Sequence, residues 1–574
     1  MTNEKIVRIL KEIAIFLEMK DIQFKPRAYE KAAEAIESLD KNVEEIYKEQ
    51  GIKGLKEIPA VGEGIAERIE ELIKHKKIKH YEKLKKEIPI NIEQLNAIEG
   101  MGPKMTMKLY KELNVKNIKD LEKAAKQKKI RNLEDFGGKT EKNILKSIQF
   151  YKKSQERFLL STAISEARKI EERIKKQKGV KKIITAGSIR RKKETIGDGD
   201  LLVTTSSKKA AKDIMEFFTN MPDVVQIINK GETKSSIKLE NNMNFDLRVV
   251  SAKSFGSALL YFTGSKAHNI ALRKIAISKG YKLNEYGLIK NKKTVASKTE
   301  EEIYKKLKLQ YMPPELREDK GEIEAAQENK LPKLINYDDL KGDLQTQTTW
   351  SDGSSTIEEY AQEGIKMNLE YILITDHTQG LAMTGGLDEK RLKQQAKEIE
   401  KINEKYKNKI KILKGAEVNI KKDGTLDIKD SALKQLDIVG IAVHSGFKMS
   451  KKEMTDRIIK AMKNPNAHIL FHPTGRIIHK RPAYELDMEK IIRAAKETNT
   501  ILEIDAFPSR LDLKDEYIRM AKDKGIKFSI DTDAHSATQL KYLEYGIAQA
   551  RRGWAEKKDI INAWPLNKLM KMIK

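Results

Sequence analysis

The C-terminal half of the chain alternates short apolar runs with amphipathic helical segments. Beyond about residue 335, helical segments such as EEYAQEGIKM and MEKIIRAAKE are interspersed with six strand-like runs: YILITD, KILKGAEV, LDIVGIAV, AHILFHP, ILEIDAF and FSIDTDAH. Strands joined by helices usually pair in parallel, so that their C-terminal ends meet at one edge of the sheet. The repeat therefore predicts a parallel sheet or barrel with its chemistry at that edge.

Most of these strand ends carry a histidine or a carboxylate. The candidates are Asp352, His377, Glu417, His444, His472, Asp533 and His535. A single buried histidine is more often a packed core residue than a ligand. Five separate strand ends that each offer an imidazole or a carboxylate instead indicate a polynuclear metal cluster.

Residues 1 to about 150 are predicted to form short amphipathic helices, and three segments repeat a helix–glycine turn–helix pattern: IPAVGEGIAERI, IEGMGPKMTMKL and LEDFGGKTEKNI. A helix that begins after such a turn presents free N–H groups that suit a phosphate. One copy is common architecture, whereas repeated copies favour sequence-independent binding to a nucleic-acid backbone. The predicted DNA-binding residues are Gly62, Gly64, Gly100, Gly102 and Lys104.

The charge of the chain is consistent with a polyanionic partner. Lysine and arginine number 113 against 85 acidic residues, which gives a net charge of +28. A generally lysine-rich composition would also explain this excess. The chain has no cysteine, which excludes disulfides, zinc–thiolate sites and thiol catalysis. The charged N-terminus is unlike a signal peptide and no apolar run is long enough for a membrane span, so we expect a soluble intracellular protein.

Paired carboxylates mark a second candidate site, in AGSIRRKKETIGDGDLLV. Asp198 and Asp200 are two residues apart at the start of a predicted strand, so both side chains lie on one face. Asp246, in NFDLRVV, follows on a later strand. Three carboxylates on adjacent strands can hold two Mg²⁺ ions for an in-line phosphoryl transfer. Upstream, Gly187 and Ser188 open a helix with two arginines, which suits the pyrophosphate of a nucleoside triphosphate.

These motifs resemble the family X DNA polymerases. GSIRRKKETIGDGD is similar to the palm motif of that family, and YFTGSKAHNIALRKIAISKGYKLNEYGL is similar to its thumb-side nucleotide-binding segment. The resemblance covers residues 1 to about 318. It implies that Asp198, Asp200 and Asp246 are the catalytic metal ligands and that Asp246 activates the primer 3′-hydroxyl. It further implies nucleotide-binding roles for Gly187, Ser188, Arg191, Tyr261, Phe262, Gly264, Asn269 and Arg273.

One position departs from the family pattern. The lysine that forms a Schiff base in the 5′-deoxyribose-phosphate lyase reaction corresponds to Arg68. A guanidinium stays protonated and is not an amine nucleophile, so the lyase activity is not carried over.

The C-terminal half resembles a PHP phosphoesterase domain. Four segments carry the resemblance: LITDHTQGLAMTGGLDEKRL, FHPTGR, EIDAFPSRLDL and DTDAHS. The resemblance implies a distorted seven-stranded barrel and metal-assisted 3′–5′ exonuclease chemistry with Mn²⁺ or a related ion. The family pattern D-L-H-x-H-T reads D-L-Q-T-Q-T here, so Gln345 and Gln347 replace two ligand histidines. An amide oxygen is a weak donor to a transition metal.

Three interpretations of this replacement stay open. The first is a nuclease that is absent or much weakened in a domain kept as a scaffold or DNA-binding surface. The second is slow hydrolysis by a partial Mn²⁺ or Zn²⁺ cluster, and the third is a site tuned to a harder ion such as Mg²⁺.

The predicted fold class is multidomain α+β and α/β: helix-hairpin-helix domains, a nucleotidyltransferase palm with a thumb, and a PHP-type distorted (β/α)7 barrel. The predicted boundaries are 1–88 for the N-terminal DNA-end-binding domain, 89–153 for the fingers, 154–255 for the palm, 256–318 for the thumb, 319–335 for a linker and 336–574 for the PHP domain.

The main functional prediction is a template-directed DNA polymerase with two Mg²⁺ ions that fills short gaps in DNA repair, including base excision repair. Its expected partners are gapped or primed double-stranded DNA and dNTPs, with no membrane, as a monomer in the cytoplasm and nucleoid. A non-catalytic scaffold that binds DNA gaps or ends and a template-independent nucleotidyltransferase are the alternatives.

Overall fold

The computed structural model describes residues 1, 3–37, 39, 41–96, 98, 101–134, 136–154, 157–381 and 384–573. The N-terminal part is helical, as the sequence predicts. Its helices are α1 Asn3–Met19, α2 Lys25–Glu37, α3 Val43–Lys56, α4 Glu63–His75, α5 Lys79–Glu87, α6 Ile92–Asn96, α7 Pro103–Leu113, α8 Ile118–Lys126 and α9 Gly138–Ser154, with a 3₁₀ turn at Ile130–Asn132.

Apolar residues at three- and four-residue spacing give these helices their buried faces. In α4, Ile65, Ile69, Leu72 and Ile73 are buried on one side. They join a single apolar cluster that extends from Ile6 to Tyr151. The hairpins are thus packed against one another and hold their turns at the surface.

The palm follows as a mixed sheet with two covering helices. Its elements are β1 Phe158–Leu159, α10 Leu160–Lys175, β2 Val180–Thr185, α11 Gly187–Arg190, β3 Thr195–Ile196, β4 Asp198–Thr205, α12 Lys208–Thr219, β5 Val224–Lys230, β6 Lys234–Leu239 and β7 Asn244–Val249. The five-stranded sheet has the order β2-β4-β7-β6-β5. Only β4 and β7 are parallel within it.

The thumb combines helices with a three-stranded antiparallel sheet of order β10-β9-β8. Its elements are α13 Phe255–Thr263, α14 Lys266–Ser278, β8 Lys282–Asn284, β9 Gly287–Lys290, β10 Lys293–Ala296 and α15 Glu300–Lys306, followed by a 3₁₀ turn at Pro314–Leu316 and α16 Glu322–Gln327.

The segment 319–335, predicted as a linker, is more ordered than a free tether. It contains α16, and Ile323 and Ala326 are buried in the core of the thumb. Glu322 accepts a hydrogen bond on Oε1 from the ring of His268 at 2.7 Å. The high charge of this segment predicted a solvent-exposed linker, but Glu322 is paired with His268 inside the protein and the short apolar face of α16 is buried.

The C-terminal half folds into the predicted seven-stranded parallel barrel, with the order β11-β12-β13-β14-β15-β16-β17. A parallel bridge between Thr346 and Ala534 brings the first strand beside the end of the last one and nearly closes the barrel. The elements are β11 Gly342–Thr346, α17 Ile357–Lys366, β12 Tyr371–Ile374, α18 Glu389–Lys405, β13 Lys411–Asn419, α19 Asp430–Leu433, β14 Ile438–Ala442, α20 Lys451–Met462, β15 Ile469–Leu470, α21 Met488–Thr498, β16 Ile501–Asp505, α22 Asp515–Asp523, β17 Phe528–Asp531, α23 Leu543–Arg552 and α24 Leu566–Ile573.

The barrel strands are apolar because they are covered on both faces. All residues of β12 and β14 are buried. Capping boxes begin α17, with Thr356 and Glu359, and α20, with Ser450 and Glu453. In the described part of the chain, no helix is both long and apolar enough to cross a membrane.

Two candidate functional sites

The palm sheet brings the three predicted carboxylates onto two neighbouring strands. Asp198 and Asp200 begin β4, and Asp200 is the register partner of Asp246 on the parallel strand β7. Burial, followed by the charges of Asp198 and Asp246, raises the pKa of Asp200 to about 6. Neighbouring carboxylates repel each other when both are ionised, and a divalent cation between them would relieve that repulsion. The three aspartates are therefore a set of oxygen ligands that fits a divalent cation.

The carboxylates are close to each other without converging on one point. The Oδ2 atom of Asp246 lies 2.7 Å from Lys234 Nζ and 3.4 Å from Arg248 Nη2. Among the described residues, the groups of three ligands whose donor atoms lie within 4.8 Å of one another both belong to the barrel. The predicted role of Asp246 as a metal ligand would therefore require its carboxylate to exchange these cationic partners.

At the turn that precedes α11, the backbone approaches the Asp200 carboxylate closely. Gly187 has a φ of 61°, and a Cβ atom there would lie 2.4 Å from Asp200 Oδ2. Only glycine combines this left-handed backbone with so short an approach. Ser188 lies next to it in the first turn of α11.

The two arginines of this motif have different surroundings. Arg190 donates two hydrogen bonds to Glu300, at 2.8 Å and 2.7 Å, and a third to Thr263 Oγ1 at 2.6 Å, so it ties the palm to the thumb. Arg191 donates from Nε to Glu318 at 3.0 Å and from Nη1 to the carbonyl of Thr263. Both arginines are therefore held by residues of the thumb, and nucleotide binding by Arg191 stays a prediction.

The predicted nucleotide-binding residues from Tyr261 to Arg273 lie on α13, at its C-terminal cap and on α14. Tyr261, Asn269 and Arg273 line one small cleft, together with Ser257, Leu260, Leu283 and Asn284. Asn269 donates a hydrogen bond to the carbonyl of Tyr261 at 2.7 Å, and Phe262 packs edge-on against Tyr261. Gly264 lies at the end of α13, where an added Cβ would be 3.2 Å from Arg191 Nη1.

The glycine turns of the hairpins are open to solvent. Gly62 and Gly102 are the N-cap residues of α4 and α7, and a Cβ atom at Gly62, Gly64 or Gly102 would have no neighbour within 4 Å. Lys104, in the first turn of α7, has a side chain that is 81% exposed. This leaves room for a phosphate at both helix starts. Gly100 lies outside the described residues.

Arg68 lies on α4, and its Nη1 atom is 3.5 Å from Glu71 Oε2. The nearby Lys74 contacts Glu70 at 2.9 Å, and hydrogen bonds with Glu70 and Tyr47 raise the pKa of its ammonium group. The position that the family pattern gives to a Schiff-base lysine thus holds a guanidinium, which is not an amine nucleophile.

In the barrel, the candidate ligands gather at the strand ends in two groups that His377 connects. The first group is Asp352, His377 and His535, with Asp352 Oδ2 at 3.6 Å and 3.8 Å from the two Nε2 atoms. Burial lowers the pKa of His535, but Asp352 and Asp533 outweigh burial and raise that pKa to about 9. A metal ion at this group would displace the proton of His535.

The second group is centred on Glu417. His444 Nε2 and His472 Nε2 lie 2.9 Å and 2.8 Å from Glu417 Oε1, and His377 Nδ1 lies 3.4 Å from Oε2. Burial alone would raise the pKa of Glu417, but the surrounding histidines outweigh it and hold that pKa well below its ordinary value. Burial lowers the pKa of His444 to about 4, so its imidazole is neutral and suited to bind a metal.

Gln345 and Gln347 are fully buried where the resemblance places two further ligands. Gln347 donates from Nε2 to Glu417 Oε2 at 2.9 Å. Within the described part of the chain, both amide atoms of Gln345 and the Oε1 atom of Gln347 have no hydrogen-bond partner. These residues do not fit a third metal position, because they offer neutral amides in place of two imidazoles and Gln347 turns an N–H group toward Glu417.

Sequence reasoning did not identify Arg510, which follows β16. Its Nε atom lies 3.1 Å from Asp533 Oδ2 and 3.4 Å from Asp505 Oδ2. The predicted ligand Asp533 therefore already has a cationic partner. Nor did the sequence indicate that α2 reaches the barrel, where Lys31 donates to the carbonyl of Gly353 at 2.8 Å and Arg27 to that of Ser351 at 3.3 Å.

Four protein families match consecutive parts of the chain. They are a helix-hairpin-helix domain over residues 1–78, a SAM-like helix-hairpin-helix tandem over 92–149, the DNA polymerase beta thumb over 258–318 and the PHP domain over 343–506. Together with the palm carboxylates and the barrel cluster, they define a nucleotidyltransferase joined to a phosphoesterase-type domain.

Similar proteins cover the same regions. The DNA polymerase/3′-5′ exonuclease PolX of Bacillus subtilis (strain 168) is 38% identical over 580 residues, which is all of both chains. A repair DNA polymerase X of African swine fever virus is 34% identical over 24% of this chain and 82% of its own. A probable phosphatase of Thermoanaerobacter sp. (strain X514) is 34% identical over 34% of this chain and 78% of its own.

The chain belongs to the family X DNA polymerases that carry a C-terminal PHP domain. The predicted family, fold class and DNA polymerase activity are confirmed at that level. DNA polymerases and PHP domains generally use divalent metal ions, and the barrel has groups of residues that could hold them.

Proposed function

We propose that the palm adds dNTPs to the 3′-hydroxyl of a primer in template-directed synthesis, with Asp198, Asp200 and Asp246 holding two Mg²⁺ ions. The observation that carries this proposal is the pairing of Asp200 with Asp246 on parallel strands directly beside Gly187 and Ser188. When bound, the ions supply charge neutralisation at the attacking and leaving oxygens. In this proposal, Asp246 accepts the proton of the primer hydroxyl after its carboxylate leaves Lys234 and Arg248.

Arg191, Gly187 and Ser188 then hold the triphosphate, while Tyr261, Phe262 and Gly264 form the wall of the sugar pocket. Asn269 and Arg273 lie along the base pair that forms. The shared cleft of Tyr261, Asn269 and Arg273 supports this assignment.

The DNA substrate is a short gap or a primed duplex, held through its backbone by the two open helix starts at Gly62 and Gly102. Gly64, Gly100 and Lys104 are the other predicted contacts. Contacts of this kind are sequence-independent and suit a repair enzyme. We place the protein in the cytoplasm at the nucleoid, as a monomer.

For the barrel, we propose a 3′–5′ nuclease that is much weakened. The hydrogen bond from Gln347 to Glu417 supports this, because it occupies a lone pair of the carboxylate that a third metal ion would need. A partial Mn²⁺ or Zn²⁺ cluster fits the predicted ligands that remain, and Asp533 would exchange its contact with Arg510 on binding a metal ion. These ligands are Asp352, His377, Glu417, His444, His472, Asp533 and His535. Slow hydrolysis by this cluster and a preference for Mg²⁺ are the alternatives.

Extension of a primer across a one-nucleotide gap with Mg²⁺ tests the polymerase proposal. We expect the nucleotide complementary to the template to be added to gapped DNA, and little addition to a single strand without template. Equal addition of all four dNTPs to both substrates would favour the template-independent transferase. Absence of any addition would favour the non-catalytic scaffold.

A further inference from the structure

The barrel is packed directly onto the palm. Leu511, Tyr542 and Tyr545 of the barrel lie in the same buried apolar cluster as Leu160 and Ile164 of α10. An ion pair between Arg168 and Glu544, with Nη2 and Oε2 2.7 Å apart, lies at the edge of this interface. The two domains therefore share a core, and a change on one side can reach the other.

Arg552, at the end of α23, reaches from the barrel to the loop of the palm motif. Its Nη1 atom donates to the backbone carbonyl of Arg191 at 2.9 Å and to Glu318 Oε1 at 3.1 Å. Its Nη2 atom donates to Asp515 at 2.6 Å, and the side chain is only 3% exposed. A buried guanidinium with three such acceptors is fixed in position.

Glu318 connects Arg552 to the side chain of Arg191. The Oε1 atom that accepts from Arg552 also accepts from Arg191 Nε at 3.0 Å. Burial alone would raise the pKa of Glu318, but Arg552 and Arg191 outweigh it and hold that pKa below its ordinary value. Arg191 Nη1 is engaged by the Thr263 carbonyl, so two of the three guanidinium nitrogens are held by protein.

We propose that Arg552 of the barrel is a positioning residue for nucleotide binding, which acts by holding both the backbone and, through Glu318, the guanidinium of Arg191. The proposal rests on the proposed role of Arg191 in binding the triphosphate. It gives the barrel a function in polymerisation that does not depend on hydrolysis. It also explains why a barrel that has lost two metal ligands keeps its full fold and its interface with the palm.

The test is steady-state gap filling by the full chain, with kcat and KM for the dNTP measured separately. Because one orienting contact to a charged group is lost, we expect Arg552→Ala to raise KM about tenfold while kcat changes less than about threefold. Arg552→Lys keeps one donor and should restore part of the loss. Asp515→Asn weakens the anchor of Arg552, together with the 3.7 Å contact of Asp515 with Lys320, and should raise KM by a smaller factor.

Arg168→Ala is the matched control, because it also removes an arginine that bridges palm and barrel but does not contact Arg191. We expect its KM to be unchanged. If Arg552→Ala and Arg168→Ala raise KM equally, the effect is a general loosening of the interface and the proposal is wrong. Should Arg552→Ala lose cooperative thermal unfolding, Asp515→Asn carries the test, and an unchanged KM in that variant overturns it.

Arg191→Ala separates the proposal from its premise. An unchanged KM in Arg191→Ala would remove the proposed role of Arg191 and the positioning role with it. A raised KM in Arg191→Ala with an unchanged KM in Arg552→Ala would overturn the positioning role alone. In the double variant Arg191→Ala, Arg552→Ala, we expect the same KM as in Arg191→Ala alone. Additive effects of the two changes on KM would show that Arg552 does not act through Arg191.

Discussion

The palm site and the barrel centre differ in opposite ways. The palm has all three predicted carboxylates, but they do not converge, and Asp246 is held by Lys234 and Arg248. The barrel centre is tightly arranged, with two histidines within 2.9 Å of Glu417, but lacks two of the ligands that its family pattern contains.

The difference shows that a complete set of ligands and a preformed geometry are separate properties. A palm whose carboxylates disfavour each other's charge can assemble when metal and nucleotide arrive together. In the barrel centre, the remaining ligands are already arranged, but this geometry cannot restore affinity for a third metal ion where amides replace two imidazoles. We therefore place the principal activity in the palm, although its ligands are not yet arranged around a metal position.

The largest effect is expected from removal of a palm carboxylate. Asp198→Ala and Asp246→Ala should each lower the rate of gap filling by about a thousandfold or more. The reason is that the three carboxylates hold the metal ions together, so the loss of one ligand removes most of the charge stabilisation. Asp213→Ala, which removes an exposed carboxylate from α12 of the same domain, is the matched control. Gap filling at the normal rate in both site variants would place the activity elsewhere.

The smallest effect is expected at the hairpins, whose proposed role is to bind the DNA backbone. Lys104→Ala should weaken binding to gapped DNA only a few-fold and reduce the slope of log affinity against log salt by about one. Fluorescence anisotropy at several salt concentrations measures both quantities. Lys401→Ala, on the outer barrel helix α18, should leave the slope unchanged, and an equal change in both variants would argue against a specific phosphate contact.

Elements with a strong pattern could be predicted from sequence alone. The six apolar runs beyond residue 335 all became strands of the barrel, because burial on both faces requires continuous apolar residues. The D-x-D spacing placed Asp198 and Asp200 together on β4, and the later strand placed Asp246 beside Asp200.

Contacts between distant segments could not be predicted in this way. Arg510 and Arg552 carry no periodic signal, and their partners Asp533 and Glu318 become neighbours only through the fold. The order of the segment 319–335 was missed for the same reason, since the carboxylate of Glu322 is satisfied by His268, 54 residues away along the chain.

The most direct test of the comparison is Mn²⁺-dependent release of a labelled 3′ nucleotide by the unaltered protein and by the double variant Gln345→His, Gln347→His, alongside gap filling by the same samples. We expect slow release by the unaltered protein, release at least about tenfold faster from the double variant because the imidazoles restore metal affinity, and similar gap filling by both. Rapid release by the unaltered protein that is lost in His377→Ala would contradict the account, because it would show that the barrel centre is a working nuclease without the two histidines.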